Sequence, residues 1–285
     1  MAGIYIHIPF CKQACHYCDF HFSTSLNNKD AFLKALRKEI ELQKNYLSTT
    51  ETISTIYFGG GTASLLSQKE IMMIFGHLQK YFKIDIDAEI TLEANPDDLT
   101  QTKLKELKQT PINRLSIGIQ SFFDEDLKWM NRAHDSLMAT TVIKASQDVG
   151  FNNITIDLIY GTPTLTNENW LTNLQTAFDF KINHISAYCL TIEPKTVLGV
   201  LHKKGEIKSI DEQKSATQFE MMLQEMKKNN FIQYEISNFC KDNFYSKHNS
   251  NYWLNKKYLG LGPSAHSYNG IQRRWNISNN NLYIQ

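Results

Sequence analysis

No run of apolar residues in this sequence approaches the ~20 that a membrane-crossing helix needs. The opening stretch "MAGIYIHIPF" has no basic segment, long apolar core or small-residue cleavage site of the kind that a secretory signal carries. Neither sign of charge is in excess: 30 basic residues stand against 29 acidic ones. That balance leaves no electrostatic footprint for nucleic acid or an acidic membrane surface. No internal repeat, low-complexity tract or Pro/Gly-rich linker breaks the first 190 residues. Cysteine is scarce, at five residues, and an odd count argues against a disulfide framework. A cytoplasmic protein with reduced thiols is expected.

What is present is a core and a pattern. Hydrophobic residues make up 42% of 285, with 16 Phe and 13 Tyr, enough for one large domain or two ordinary ones. Short β-branched and aromatic runs at 3–8, 53–58, 88–94, 114–120, 153–161 and 184–190 predict strands. Amphipathic stretches at 29–47, 67–82, 100–109, 135–149, 167–179 and 211–229 predict helices between and after them. Phe32, Leu36, Ile40 and Tyr46 or Leu47 form the apolar stripe of the first helix. Ser67 with Glu70 reads as a capping box, and Thr100 as an N-cap. Six β–α units with apolar strands mean a parallel sheet covered by helices. Without a dinucleotide-binding fingerprint after the first strand, the expected fold is α/β, a partial (β/α)6 TIM-like barrel over 1–190. Residues 191–285 should form a small α+β appendage: a polar connection (193–210), a long helix, then the extended pieces "FIQYEISNF" and "YLGLGPSAHSY". The ending "NNNLYIQ" reads as the start of another helix, and a further C-terminal region is expected.

Polar chemistry collects where strands end. "FGGGT", "LEANP", "GIQSF", "DLIYGTP" and "TIEP" follow strands two to six, and "CKQACHYC" follows the first. In a parallel barrel that end is where active sites are built. Cys11, Cys15 and Cys18 are spaced C-x3-C-x2-C with no fourth cysteine nearby. A zinc site would need a fourth ligand such as His7, His16 or His21. An iron–sulfur cube normally takes four thiolates, so three leave one iron open to bind a substrate atom. Cys189 and Cys240 stand apart and read as ordinary thiols.

This cysteine spacing, with Tyr17 just before the third thiol, resembles the radical S-adenosylmethionine (SAM) superfamily. The resemblance implies a [4Fe-4S] cluster whose open iron chelates SAM, and reductive cleavage to a 5′-deoxyadenosyl radical. "GGGT" at 59–62 fits, because bare glycine backbone can approach the methionine moiety and donate N–H groups to it; a tight turn without a ligand is the alternative. "YIHIPFCKQACHYCDF", "GGGTASLL", "EANPDDL", "RLSIGIQSF", "NRAH", "DLIYGTP" and "GLGPSAHSY" together resemble the oxygen-independent coproporphyrinogen III oxidase-like family from residue 3 to about 278. Carried over by motif, Tyr5, Gly60 and Glu93 would contact cluster-bound SAM. Gly61, Thr62, Gln120, Arg132 and Asp157 match a second SAM site of the true oxidases. A buried acid such as Asp157, between Ile156 and Leu158, is costly unless partnered. A Glu93–Arg132 ion pair and a core role for the Gln120 amide remain alternatives.

One departure bears on the branch. The true oxidases carry another cysteine two residues after the cluster motif, and this chain has Phe20 there, which puts porphyrinogen decarboxylation in doubt. "HNSNYW" (248–253) fits the H-N-x-x-Y-W pattern of the HemW branch, regarded as heme chaperones. The resemblance then implies heme or porphyrin as ligand, heme-acceptor proteins as partners, a reductant such as flavodoxin or ferredoxin, and peripheral membrane contact through acceptors. An imidazole is a good axial ligand and Tyr252 and Trp253 offer flat faces, so His248 is the heme-ligand candidate, with local hydrogen bonding as the alternative. His266, Arg273 and Arg274 are further candidates, the arginines for heme propionates.

Overall fold

The computed structural model describes residues 1–241 and 244–285. Six parallel strands run from the N-terminus: β1 (Ala2–Ile8), β2 (Thr52–Gly60), β3 (Lys83–Ala94), β4 (Arg114–Gln120), β5 (Ile154–Tyr160) and β6 (His184–Cys189). Helices α1 (Lys29–Leu42), α2 (Gln68–Gln79), α3 (Gln101–Leu107), α4 (Asp124–Trp129), α5 (Ser136–Asp148) and α6 (Asn167–Asp179) lie between them. Then come α7 (Val197–Lys203), α8 (Glu212–Lys228), β7 (Ile232–Gln233), β8 (Asn238–Cys240), α9 (Lys247–Trp253), β9 (Tyr258–Leu261), β10 (His266–Tyr268), β11 (Arg273–Trp275) and α10 (Asn280–Ile284). Each predicted strand and helix is present.

Local chemistry explains the elements. In β1, Ile4, Ile6 and Ile8 are fully buried in the core. Tyr5 and His7 point the other way and line a cavity, the period-2 alternation of a strand between two environments. On α1, Phe32, Leu36 and Ile40 are fully buried, with Leu47 beyond the helix joining the same core. Ser67 Oγ accepts from Glu70 N (3.3 Å) while Glu70 Oε2 accepts from Ser67 N (2.6 Å), so both halves of the capping box are made. Thr100 Oγ1 accepts from Lys103 N at 3.2 Å.

Among the described residues, all strands belong to one open sheet, ordered β11-β10-β9-β1-β2-β3-β4-β5-β6-β8-β7. The extended segments after residue 190 are therefore not laid beside the barrel. They add antiparallel β8 and β7 to the β6 edge, and parallel β9 followed by β10 and β11 to the β1 edge. Buried Glu39 on α1 ties the latter down, accepting from Gly262 N (2.7 Å), Asn276 Nδ2 (2.6 Å) and the Tyr283 hydroxyl (2.6 Å). Three short helices lie where none was expected: α4 after β4, α7 inside the polar 193–210 stretch, and α9 over the H-N-x-x-Y-W motif. No helix among the described residues is long and apolar enough to cross a membrane.

Candidate functional site

A cavity of about 420 Å3 opens at the carboxyl ends of the central strands. Its walls include Cys11, Cys15 and Cys18, and these three thiols are not disulfide-bonded. Their loop is held on several sides. The Lys12 ammonium pairs with Asp97 (3.2 Å) and with Asp98. Gln13 Nε2 donates to the Asn131 carbonyl (2.8 Å), and Asn131 Nδ2 donates back to the Ala14 carbonyl (2.8 Å). His16 N donates to Met130 O (3.1 Å), and Leu198 N donates to His16 O (3.0 Å). Thus α4 and α7, two of the helices hidden from sequence patterning, buttress the thiol loop.

The glycine stretch faces the same cavity. Gly60 has φ +106°, and a β-carbon there would meet His7 Nδ1 at 2.6 Å, so only glycine fits. Its N–H donates to Glu93 Oε2 (3.2 Å), while the Gly61 and Thr62 N–H groups donate to the Ile8 and Phe10 carbonyls (2.8 and 2.7 Å). The expectation that "GGGT" offers N–H donors to a ligand is corrected: strand-end bonds consume those donors, and the glycines supply closeness of approach instead. Thr62 Oγ1 donates to Cys11 Sγ (3.3 Å) and accepts from Asn95 Nδ2 (3.2 Å).

Glu93 accepts from the Tyr57 hydroxyl at 2.7 Å. Burial pushes its pKa up to about 7, with the Tyr57 hydroxyl pulling down and Asp157 adding upward pressure. Burial likewise pushes Asp157 up to about 6, against the Ser186 hydroxyl and the Arg114 guanidinium. Arg132 does not pair with Glu93. Its Nη1 donates to Cys15 Sγ and the Tyr17 hydroxyl (both 3.3 Å), and its Nη2 to Asn95 Oδ1 (2.8 Å) and Gly118 O (2.9 Å). A β-carbon on Gly118 would lie 2.9 Å from Gln120 Nε2 and 3.2 Å from Arg132 Nη2, so this glycine lets both side chains share the cavity wall. Gln120 sits at φ +69°, a left-handed backbone that costs a residue with a β-carbon.

The donors fit an iron–sulfur cluster. Three soft thiols line one volume, and among the described residues no group of side chains converges on a single metal ion. None of the three histidines offered for a zinc site lines the thiol cavity. His7 bonds Tyr5 (3.1 Å) and the His21 carbonyl (2.8 Å), His16 the Trp129 carbonyl (3.1 Å), and His21 Asn280 (2.7 Å). Burial pushes the Cys11 and Cys18 thiols up to about 11, so binding metal must displace their protons.

Of the residues singled out in the sequence, Gly60, Gly61, Thr62, Glu93, Gln120, Arg132, Asp157, Tyr17 and the three cysteines line this cavity. Tyr5 lies in a neighbouring cavity that shares Asp19, Phe20, Gly60 and Glu93 with it. His248 lies in neither. It is buried, stacked on Tyr57 (5.0 Å), with Nδ1 bonded to Thr55 Oγ1 (2.8 Å) and Nε2 to the Tyr252 hydroxyl (2.9 Å). Both ring nitrogens are hydrogen-bonded to hydroxyls and the imidazole faces neither cavity, so the structure does not present it as the expected axial ligand. Arg274 also turns away, its guanidinium 3.9 Å over the Tyr46 ring. Cys189, read as an ordinary thiol, also lines this cavity, beside Tyr188 at the end of β6. Asn95 bridges Thr62 and Arg132, a role that no spacing in the sequence announces.

Fold and site define the class. Residues 5–177 match the Radical SAM superfamily. The heme chaperone HemW of Bacillus subtilis is 38% identical over 288 residues, spanning 100% of this chain and 75% of that protein. HemW of Mycobacterium tuberculosis (strain H37Rv) is 32% identical, across 99% of this chain and 73% of that one. The solved coproporphyrinogen III oxidase (HemN) from Escherichia coli, a radical SAM enzyme, superposes with TM-score 0.86 at 23% identity, over 100% of this chain and 68% of that one. That likeness shows the fold, an open α/β barrel. The chain belongs to the radical SAM superfamily and, within it, to the HemW family.

Proposed function

We propose that this chain binds heme and delivers it to acceptor proteins, with SAM held at the open corner of a [4Fe-4S] cluster on Cys11, Cys15 and Cys18. The observation that carries the heme reading is kinship: relatives named heme chaperone HemW share 32–38% of their residues with this chain along nearly its whole length. Phe20 supports it. Where the oxidase pattern has a thiol, this chain carries an exposed phenyl ring that lines both cavities.

The bound cluster would supply one electron to SAM. This chain's own residues would do the rest. Glu93, fixed by Tyr57 and Gly60, would accept from the SAM ammonium in the space that the glycines keep clear. Arg132 would hold the cluster side, its guanidinium already on the Cys15 sulfur. Asp157 and Gln120 line the wall where a second small molecule could sit. A reductant such as flavodoxin or ferredoxin would serve the cluster.

The test is functional. Protein reconstituted anaerobically and loaded with hemin should pass it to an apo heme protein, while coproporphyrinogen III given SAM and a reductant stays unconverted. Stoichiometric conversion of coproporphyrinogen III without heme transfer would overturn the reading in favour of the oxidase.

A further inference from the structure

A second cavity of about 430 Å3 lies between β1, α9 and the β9–β10 extension. Aromatic rings dominate it: Tyr5, Phe20, Tyr252 and Tyr258 line it together with imidazoles. Directly paired residues of neighbouring strands share a face. Tyr258 pairs with Tyr268, Tyr268 with Arg273, and His266 with Trp275, so the cavity wall continues outward as an aromatic shelf. Trp275 is 71% exposed on that shelf.

The imidazoles here differ in what they have free. Both ring nitrogens of His7 are engaged, and His21 has Nε2 on Asn280. His266 makes no side-chain hydrogen bond among the described residues, is exposed, and has the Trp275 ring 6.2 Å away. Arg273 lies over the Tyr268 ring (5.5 Å) on the same face, without a carboxylate partner among the described residues.

We propose that this second cavity and its shelf are the docking site for a flat tetrapyrrole, with His266 as the axial ligand to its iron and Arg273 as the cation for a propionate. The proposal rests on the heme reading above. Apolar rings supply the faces that a macrocycle stacks on, and a free imidazole supplies the bond to iron. His248 is then a positioning residue. Its Nε2 holds the Tyr252 hydroxyl (2.9 Å), and Tyr252 stands edge-on to Tyr258 at 4.7 Å, fixing one wall. The H-N-x-x-Y-W motif thus acts on heme through Tyr252 rather than through iron.

Hemin titrated into the purified chain, followed by its Soret band, separates these roles. His266→Ala should weaken binding about tenfold or more and lose the band shift, and millimolar free imidazole should restore that shift. His248→Ala and Tyr252→Phe should weaken binding while leaving the band position unchanged. Far-ultraviolet circular dichroism checks that each variant is folded. A wild-type spectrum in His266→Ala, or loss of the shift in His248→Ala or His21→Ala alone, overturns the assignment while the heme reading stands. A wild-type chain that takes up no hemin overturns both.

Discussion

Cys15→Ser is expected to abolish iron retention. Wild type reconstituted with iron and sulfide without air should hold about four irons per chain, and the variant less than about a quarter of that. Each thiol of the motif lines the same cavity, and no histidine lines it to replace a lost one. The fold itself should survive, because the barrel core is built from strand and helix residues such as Ile4, Ile6, Phe58 and Leu36, not from the thiol loop. Iron analysis with circular dichroism checks both halves. Full iron content in Cys15→Ser would move the cluster elsewhere.

The second large effect concerns Glu93. If its carboxylate accepts from the SAM ammonium, Glu93→Gln should weaken SAM binding by about 2 kcal/mol, roughly thirtyfold, as expected when one partner of an enclosed charged hydrogen bond is removed. The pH dependence carries a sign. Burial raises the free carboxyl to about 7, so below that pH it is increasingly protonated. Ligand binding then requires loss of that proton, and affinity should fall as pH drops through 7, by about twentyfold between pH 7.5 and 5.5. Above about pH 8 this contribution is flat. Glu93→Gln lacks this carboxyl and should show a much shallower slope, what remains belonging to Asp157, which lines the same cavity and is raised to about 6. Calorimetry across that range measures both, and equal slopes in the two proteins would remove Glu93 from the site.

Much of this site is written along the chain, and the reason is topological. A parallel barrel brings every strand's carboxyl end to one face, so "FGGGT", "LEANP", "GIQSF" and "DLIYGTP" meet the thiol loop as soon as the strands are placed correctly. What stayed hidden depends on contacts distant in sequence. The engagement of Arg132 by Cys15, Tyr17 and Asn95 rather than Glu93 is set by where α4 ends, and α4 is too short for its periodicity to stand out. His248 reads as a ligand because H-N-x-x-Y-W sets an imidazole beside the flat rings of Tyr252 and Trp253, with Tyr252 four residues on. That same spacing lets the two side chains bond each other and buries the imidazole against Thr55. The strands after residue 190 look like a separate unit because they are short. Their pairing to opposite edges of one sheet follows from register with β1 and β6, which local pattern does not encode.

The most direct measurement is electron paramagnetic resonance of the reduced, anaerobically reconstituted chain with and without SAM. The account predicts a cluster signal that changes on adding SAM, because one iron corner lacks a protein thiolate, and no such signal in Cys15→Ser. A cluster signal indifferent to SAM at saturating concentration would contradict it.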